Sequence, residues 1–170
     1  RYAYYSRLSR KQQEIYRRSD AIEAVPVEQT AELLPDLQKL SRALGAGDRA
    51  RTQQIAAALV RALAERLGAR PVAVKVLSKR PSNDWGELHG LYDPETAVIS
   101  VWMRTAQRKQ VVAFKTFLRT LLHELCHHLD YACFKLEDSF HTEGFYKRES
   151  SIYKQLMQVM EAGNLNVPRP

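Results

Sequence analysis

Apolar residues recur at helical spacing along the second half of the chain. Phe114, Leu118, Leu122, Leu125 and Leu129 form one stripe at intervals of three and four. Thr116, Thr120, His123 and His127 form a second, more polar stripe. No Pro or Gly interrupts Lys109 to Phe134. The pattern predicts a long helix with one face in the core and the other in a cleft. Earlier, Leu8 to Arg18 reads as a short helix with Ser6 as its cap, and Val25-Pro26-Val27 breaks it. Glu28 to Leu44 is helical in tendency, with Pro35 forcing a new start or a kink. Gly45-Ala46-Gly47 ends that helix. Asp48 caps the next, which runs to Leu67 and stops at Gly68. Ile55, Leu59, Leu63 and Leu67 supply its buried edge; Arg49, Arg51, Arg61 and Arg66 read as a solvated face.

The period then shortens. Val72 to Leu77 alternates and is rich in β-branched residues, so it reads as a strand. Lys79 to Gly86 is a polar loop. Glu87 to Tyr92 and Thr96 to Trp102 flank Asp93-Pro94-Glu95, which predicts a hairpin feeding the long helix. Phe145 to Met160 is an amphipathic helix with Ile152, Leu156, Val159 and Met160 on its apolar side, and Gly163, Pro168 and Pro170 read as a frayed tail. The fold class expected is α+β: N-terminal helices, a small antiparallel or mixed three-stranded sheet, the long helix and a C-terminal helix. At 170 residues the chain supports one domain, over residues 27–165, with a basic arm or helix over 1–26 and a tail over 166–170.

The polar stripe carries the chemistry. His123-Glu124-Leu125-Cys126-His127 reads H-E-x-x-H. Two His four apart on a helix share a face and can grip one metal ion, for which Zn²⁺ is the usual occupant. Glu124 is offset by about 100°, which keeps it off the ion but beside its solvent ligand, as a general base. A catalytic zinc takes three protein ligands and leaves one position open. The metzincin extension needs Gly at position 130 and His at position 133; Asp130 and Cys133 stand there instead. The remaining donors are His141, fourteen residues after His127, and the carboxylates Glu137, Asp138, Glu143 and Glu149. His141 is favoured because the gap lets the helix end, turn and return a side chain. His141 to Phe145 looks like the opening turn of another helix, with Phe145 on the face of His141 and packed toward the first helix.

In this order the chain resembles the SprT-like zinc metallopeptidases. Their H-E-x-x-H is followed by a third His that begins a helix, with an aromatic four residues later. Here His123, Glu124, His127, His141 and Phe145 take those places, and the resemblance spans roughly 88–160. It implies a zincin-like fold, a Zn²⁺ cofactor held by His123, His127 and His141, and Glu124 as the catalytic carboxylate. The activity implied is hydrolysis of peptide bonds in a protein or peptide substrate, and the family includes proteases that act on DNA-bound proteins. The Cys-rich ribbon that often follows in that family has no counterpart, since no C-x-x-C pair is present. Zinc peptidases of this build pair an extended substrate with an open strand edge; Ala97 to Trp102 is the candidate to offer it, or else simply the last strand of a sheet covered by helices. An oxyanion-stabilising side chain is expected, either Tyr131 or Tyr146, and the sequence does not choose between them. The competing readings are a zinc-binding interaction module without catalysis and a helical regulatory protein without metal, in which the histidines are incidental.

Charge adds a partner. The net charge is +7. Residues 1–20 hold six Arg and Lys against Glu14 and Asp20, interleaved with Tyr2, Tyr4, Tyr5 and Tyr16. Basic side chains can meet phosphates and tyrosines can stack on bases, so nucleic acid is an expected contact of the arm. The plainer alternative is an arm docked by its tyrosines. Cys126 and Cys133 lie about 10 Å apart along a helix, too far for a disulfide. Two thiols without a framework suit a reducing cytoplasm, and Cys126 reads as a small packed residue. No apolar run is long enough to span a bilayer, so no membrane partner is expected. His128 is expected at the surface or behind a ligand, and His89 in a structural role.

Overall fold

The computed structural model describes residues 1–80, 90–104 and 110–165. The predicted loop over Lys79 to Gly86, the opening of the hairpin at 87–89 with His89, and the tail over 166–170 lie wholly or largely outside them.

Local sequence explains most of the helix ends. A 3₁₀ turn over Ala3–Arg7 contains Ser6, and the cap of α1 (Arg10–Asp20) is Ser9 instead. Ser9 Oγ accepts from the Gln12 amide while the Gln12 side chain accepts from the Ser9 amide, a reciprocal capping box. Residues 22–27 have no regular secondary structure, and Val25 and Val27 are buried there. Pro35 does force a new start: a 3₁₀ turn over Thr30–Leu33 precedes α2 (Leu34–Gly45), with Pro35 in the first turn, where its missing N–H costs nothing. Asp48 caps α3 (Arg49–Arg66) by accepting from Arg51 N, and Gly68 follows at φ +66°. Two of the arginines expected to be merely solvated bind backbone: Arg49 donates to Val76 O, and Arg66 to Glu28 O and Ala62 O.

The sheet consists of β1 (Ala73–Leu77), β2 (Gly90–Asp93) and β3 (Val98–Trp102) in the order β1-β3-β2. β1 runs parallel to β3 and β2 antiparallel to it. Asp93 Oδ1 accepts from the amides of Glu95 and Thr96 in the hairpin turn, and Ala97 closes the turn at φ +53°. The register places Val74, Ile99 and Tyr92 across one face, with Val76, Val101 and Gly90 beside them, all buried. Lys75, Ser100 and Leu91 share the opposite, more exposed face. One face of the sheet is therefore covered by helices. β3 is central and paired on both sides, so the edge expected of Ala97 to Trp102 does not exist; among the described residues the outer edge next to the long helix belongs to β2.

The long helix α4 (Phe114–Ala132) packs on β2 and β3, and α5 (Glu143–Leu165) packs on α4. Leu118, Leu122, Leu125 and Leu129 are buried in one core with Leu40, Leu59, Ile99 and Leu156. Gly163 lies inside α5 and not in a frayed tail: a Cβ there would come within 2.7 Å of Leu34 Cδ2. The order of elements is α+β with a small mixed sheet. Residues 1–26 lie against this body. Gly144 N donates to Asp20 Oδ1 at 2.9 Å, and a Cβ on Gly144 would sit 2.5 Å from Asp20 O.

Candidate metal centre

The polar stripe of α4 faces the chain that returns from its C-terminus. After Cys133 the backbone turns at Lys135, φ +52°, and runs to α5. Thr142 caps α5, its hydroxyl accepting from Phe145 N at 2.8 Å. His141 precedes that cap instead of sitting within the first turn. The loop brings the His141 ring centroid to 4.9 Å from both His123 and His127. One ligand nitrogen from each of His123, His127 and His141 lies within 4.8 Å of the other two. This is the only such trio of potential ligands among the described residues.

The rings of His123 and His127 are held from behind. His123 Nδ1 meets Glu149 Oε1 at 2.6 Å. A carboxylate accepts, so the proton is on Nδ1 and Nε2 carries the lone pair. Arg119 holds the other carboxylate oxygen at 3.2 Å. His127 Nδ1 meets Ser139 Oγ at 2.7 Å, which again leaves Nε2 as the donor atom toward the centre. Tyr4 Oη donates to His141 O at 2.7 Å, fixing the backbone that presents the third ring. Phe145 is fully buried and forms a floor, with centroids 5.0, 4.7 and 5.2 Å from His123, His127 and His141.

One pair of the donor atoms is spaced close to what a tetrahedral ion needs. Zinc–nitrogen bonds of about 2.0–2.1 Å imply nitrogen–nitrogen separations of roughly 3.3 Å. The Nε2 atoms of His127 and His141 stand 3.0 Å apart. Backing of imidazole N–H groups by a carboxylate or a hydroxyl is what orients metal-ligating histidines. The three histidines lie close enough together to hold a metal ion.

Glu124 follows His123 on α4 and is buried. β2 presses on it: a Cβ on Gly90 would lie 3.1 Å from Glu124 Cγ and 2.9 Å from Thr120 Cγ2. Only a residue without a side chain lets the strand lie this close over the carboxylate.

The other residues singled out in the sequence separate clearly. Glu137 is on the surface, paired with Arg18. Asp138 accepts from Ser139 N and Tyr131 Oη, and Glu143 is exposed in the first turn of α5. Glu149 stands behind His123, not beside it. Tyr131 stacks on Tyr92, whereas the Tyr146 ring lies 5.6 Å from His141 and 6.0 Å from His123, 38% exposed. His128 is fully buried and not a surface group. Its Nε2 donates to Arg70 O and its Nδ1 accepts from Tyr92 Oη, both at 2.8 Å, pinning α4 to β2 and to the segment before β1. Burial pushes its pKa below the ordinary value, in keeping with a neutral ring. Cys126 is 1% exposed and Cys133 bonds Leu67 O; both thiols are free.

Sequence reasoning overlooked Ser139, Asp130 and Arg148. Ser139 Oγ donates to Asp130 Oδ2 at 2.7 Å, and Arg148 Nη2 donates to Asp130 Oδ1 at 3.0 Å. Burial pushes the Asp130 carboxyl upward, while Arg148 and Ser139 pull it back. The one signal in the sequence is an Asp three residues after His127, on the same side of the helix as His123 and His127.

The arm is docked by its aromatics. Tyr16 is fully buried, with Tyr4 and Tyr5 edge-on to it at 5.7 and 5.0 Å. Arg7, Arg10, Lys11, Arg17 and Arg18 remain exposed. No described helix is long and apolar enough to cross a membrane. Compared with protein-family models, with curated proteins and with solved structures, the chain finds no match.

Proposed function

We propose that this chain is a zinc metallopeptidase of SprT-like type with a zincin-like fold. The observation that carries the reading is the convergence of His123, His127 and His141 within 4.8 Å, with Glu124 buried next to the first of them. A zinc ion held there would supply a Lewis acid and a water acidified toward neutral pH.

The protein's own part follows from its geometry. Glu149 and Ser139 keep the Nε2 lone pairs of His123 and His127 aimed at the centre. Glu124 takes a proton from the attacking water and passes it to the leaving amine. Tyr146, at the exposed rim, is the residue placed to steady charge on the carbonyl oxygen; Tyr131 is turned onto Tyr92 and Asp138. An extended substrate adds to the outer edge of β2, where Gly90 brings the backbone over Glu124. Nucleic acid, if it guides the enzyme to its substrates, meets the exposed cations of α1. The buried Tyr16 takes no part in stacking on bases.

The test is Glu124→Gln. Purified without an affinity tag that binds metal, the variant should keep one zinc per chain and lose casein hydrolysis by roughly 10²–10⁴-fold, the span of a general base. A variant that binds zinc and cleaves at the parent rate removes Glu124 from the mechanism. A parent that binds zinc and cleaves nothing supports the non-catalytic zinc module instead.

A further inference from the structure

Three side chains that the proposed mechanism leaves unused are among the most buried polar groups of the protein: Asp130, Arg148 and Ser19 are each 0% exposed. They form one connected chain. Arg148 Nη1 donates to Ser19 O at 2.5 Å and to Ile22 O at 2.7 Å. Arg148 Nη2 donates to Ser19 Oγ at 2.9 Å and to Asp130 Oδ1 at 3.0 Å. Asp130 Oδ2 accepts from Ser139 Oγ, and Ser139 Oγ meets His127 Nδ1, each at 2.7 Å.

The protons in this chain have one consistent assignment. The Arg148 guanidinium only donates, so Asp130 Oδ1 accepts, and paired with that cation Asp130 is a carboxylate whose Oδ2 accepts from Ser139 Oγ. Ser139 has a single hydroxyl proton, and it goes to Asp130. The Ser139 oxygen can then only accept from His127, which must carry its proton on Nδ1. The lone pair of His127 is thereby confined to Nε2, the atom that faces His141 at 3.0 Å. At the other end, Arg148 satisfies carbonyls at the C-terminal end of α1, where helical carbonyls lack intrahelical partners. Its guanidinium carbon also lies 5.4 Å from the Phe134 ring and 5.8 Å from Phe145, the floor of the three imidazoles.

We propose that Ser139, Asp130 and Arg148 are positioning residues of the metal centre, a buried hydrogen-bond chain that fixes the tautomer and tilt of His127 and anchors them to the end of α1. The proposal rests on the metal reading above. It makes the basic arm a structural part of the site: undocking α1 takes away the Ser19 and Ile22 acceptors, and with them the restraint on Arg148 and Asp130.

The experiment measures zinc affinity of the full chain by competition with a chelating dye, with the visible spectrum of the cobalt-substituted protein as a second readout. The proteins are the parent, Ser139→Ala, Ser139→Thr and Arg148→Lys. Removal of a group that orients a ligand from behind costs about 10–100-fold in metal affinity. Ser139→Ala should lose that much, alter the cobalt spectrum, and melt as the parent does when both are metal-free. Ser139→Thr should restore affinity and spectrum. Arg148→Lys, which keeps a cation but not the fork, should lose less affinity in the same direction. A merely structural role predicts the opposite pattern, a lowered metal-free melting temperature with unchanged affinity, and that result overturns the proposal. A parent that binds zinc while Ser139→Ala binds it equally tightly also overturns it, and leaves the metal reading intact. A parent that takes up neither zinc nor cobalt removes both.

Discussion

Gly90→Ala probes the closest approach in the site. The added Cβ would lie 2.9 Å from Thr120 Cγ2, 3.1 Å from Glu124 Cγ and 3.1 Å from Ser100 O. Carbon atoms pack well at about 3.5–4.0 Å, so β2 and α4 must part by roughly 0.5–1 Å. Neither neighbour yields easily: Gly90 is paired with Val101, and Thr120 Oγ1 donates to Thr116 O at 2.9 Å. Overpacking of this kind costs about 1–3 kcal/mol. For a chain of this size that is a fall in melting temperature of roughly 2–12 °C. The same displacement moves the Glu124 carboxylate, and a 1 Å error in a reacting group can cost about 10²-fold. His123 is next to Glu124 on α4, but its ring is held by Glu149 and grouped with His127 and His141, so zinc content should change less than turnover. Three measurements decide it: zinc per chain, melting temperature, and turnover of a peptide at saturation. Adding Thr120→Ser removes the methyl group and keeps the hydroxyl, so it should recover part of the stability and of the turnover. Gly90→Ala with parental melting and parental turnover would refute the reasoning that places β2 directly over Glu124.

Other outcomes follow from single contacts. Glu149→Ala removes the acceptor from His123 Nδ1 and should weaken zinc binding about 10–100-fold, read by dye competition. Arg148→Met leaves Asp130 buried without its cation, and the loss in urea unfolding should be about 3–5 kcal/mol; a loss under 1 kcal/mol, on the order of a surface pair, contradicts the buried ion pair. Cys126, 1% exposed, should resist a thiol reagent in the native protein, while the half-buried Cys133 reacts; equal labelling of the two by mass spectrometry goes against the burial of Cys126.

What could be read from the sequence was set by nearest neighbours. Pro35, Asp48 and Gly68 mark helix ends because their effects act within one turn. Leu118 to Leu129 locate α4 because burial repeats at its period. His123 and His127 could be paired because a helix sets their separation. The strand order could not be read: β3 sits between β1 and β2 through a parallel pairing closed across the chain, and an alternating strand carries no mark of its neighbours. That is why Ala97 to Trp102 was expected at an edge and stands at the centre. His128 and Ser139 went unread for a related reason. Their partners Arg70 and Asp130 become neighbours only after tertiary packing. The arm's tyrosines suit stacking or docking equally in sequence, and only burial of Tyr16 separates the two.

The short span of chain between the second and third imidazoles has a consequence for how the protein comes apart. His127 and His141 are 14 residues apart, whereas Ser19 and Thr142, which join α1 to α5, are 123 apart. On the logarithmic dependence of loop closure on length, bringing the nearer pair together costs about 2 kcal/mol less. Under mild denaturant a bound ion should therefore keep the α4–α5 hairpin clasped after α1 has let go. Amide exchange would show this as protection that outlasts that of residues 10–20 and is erased by a chelator.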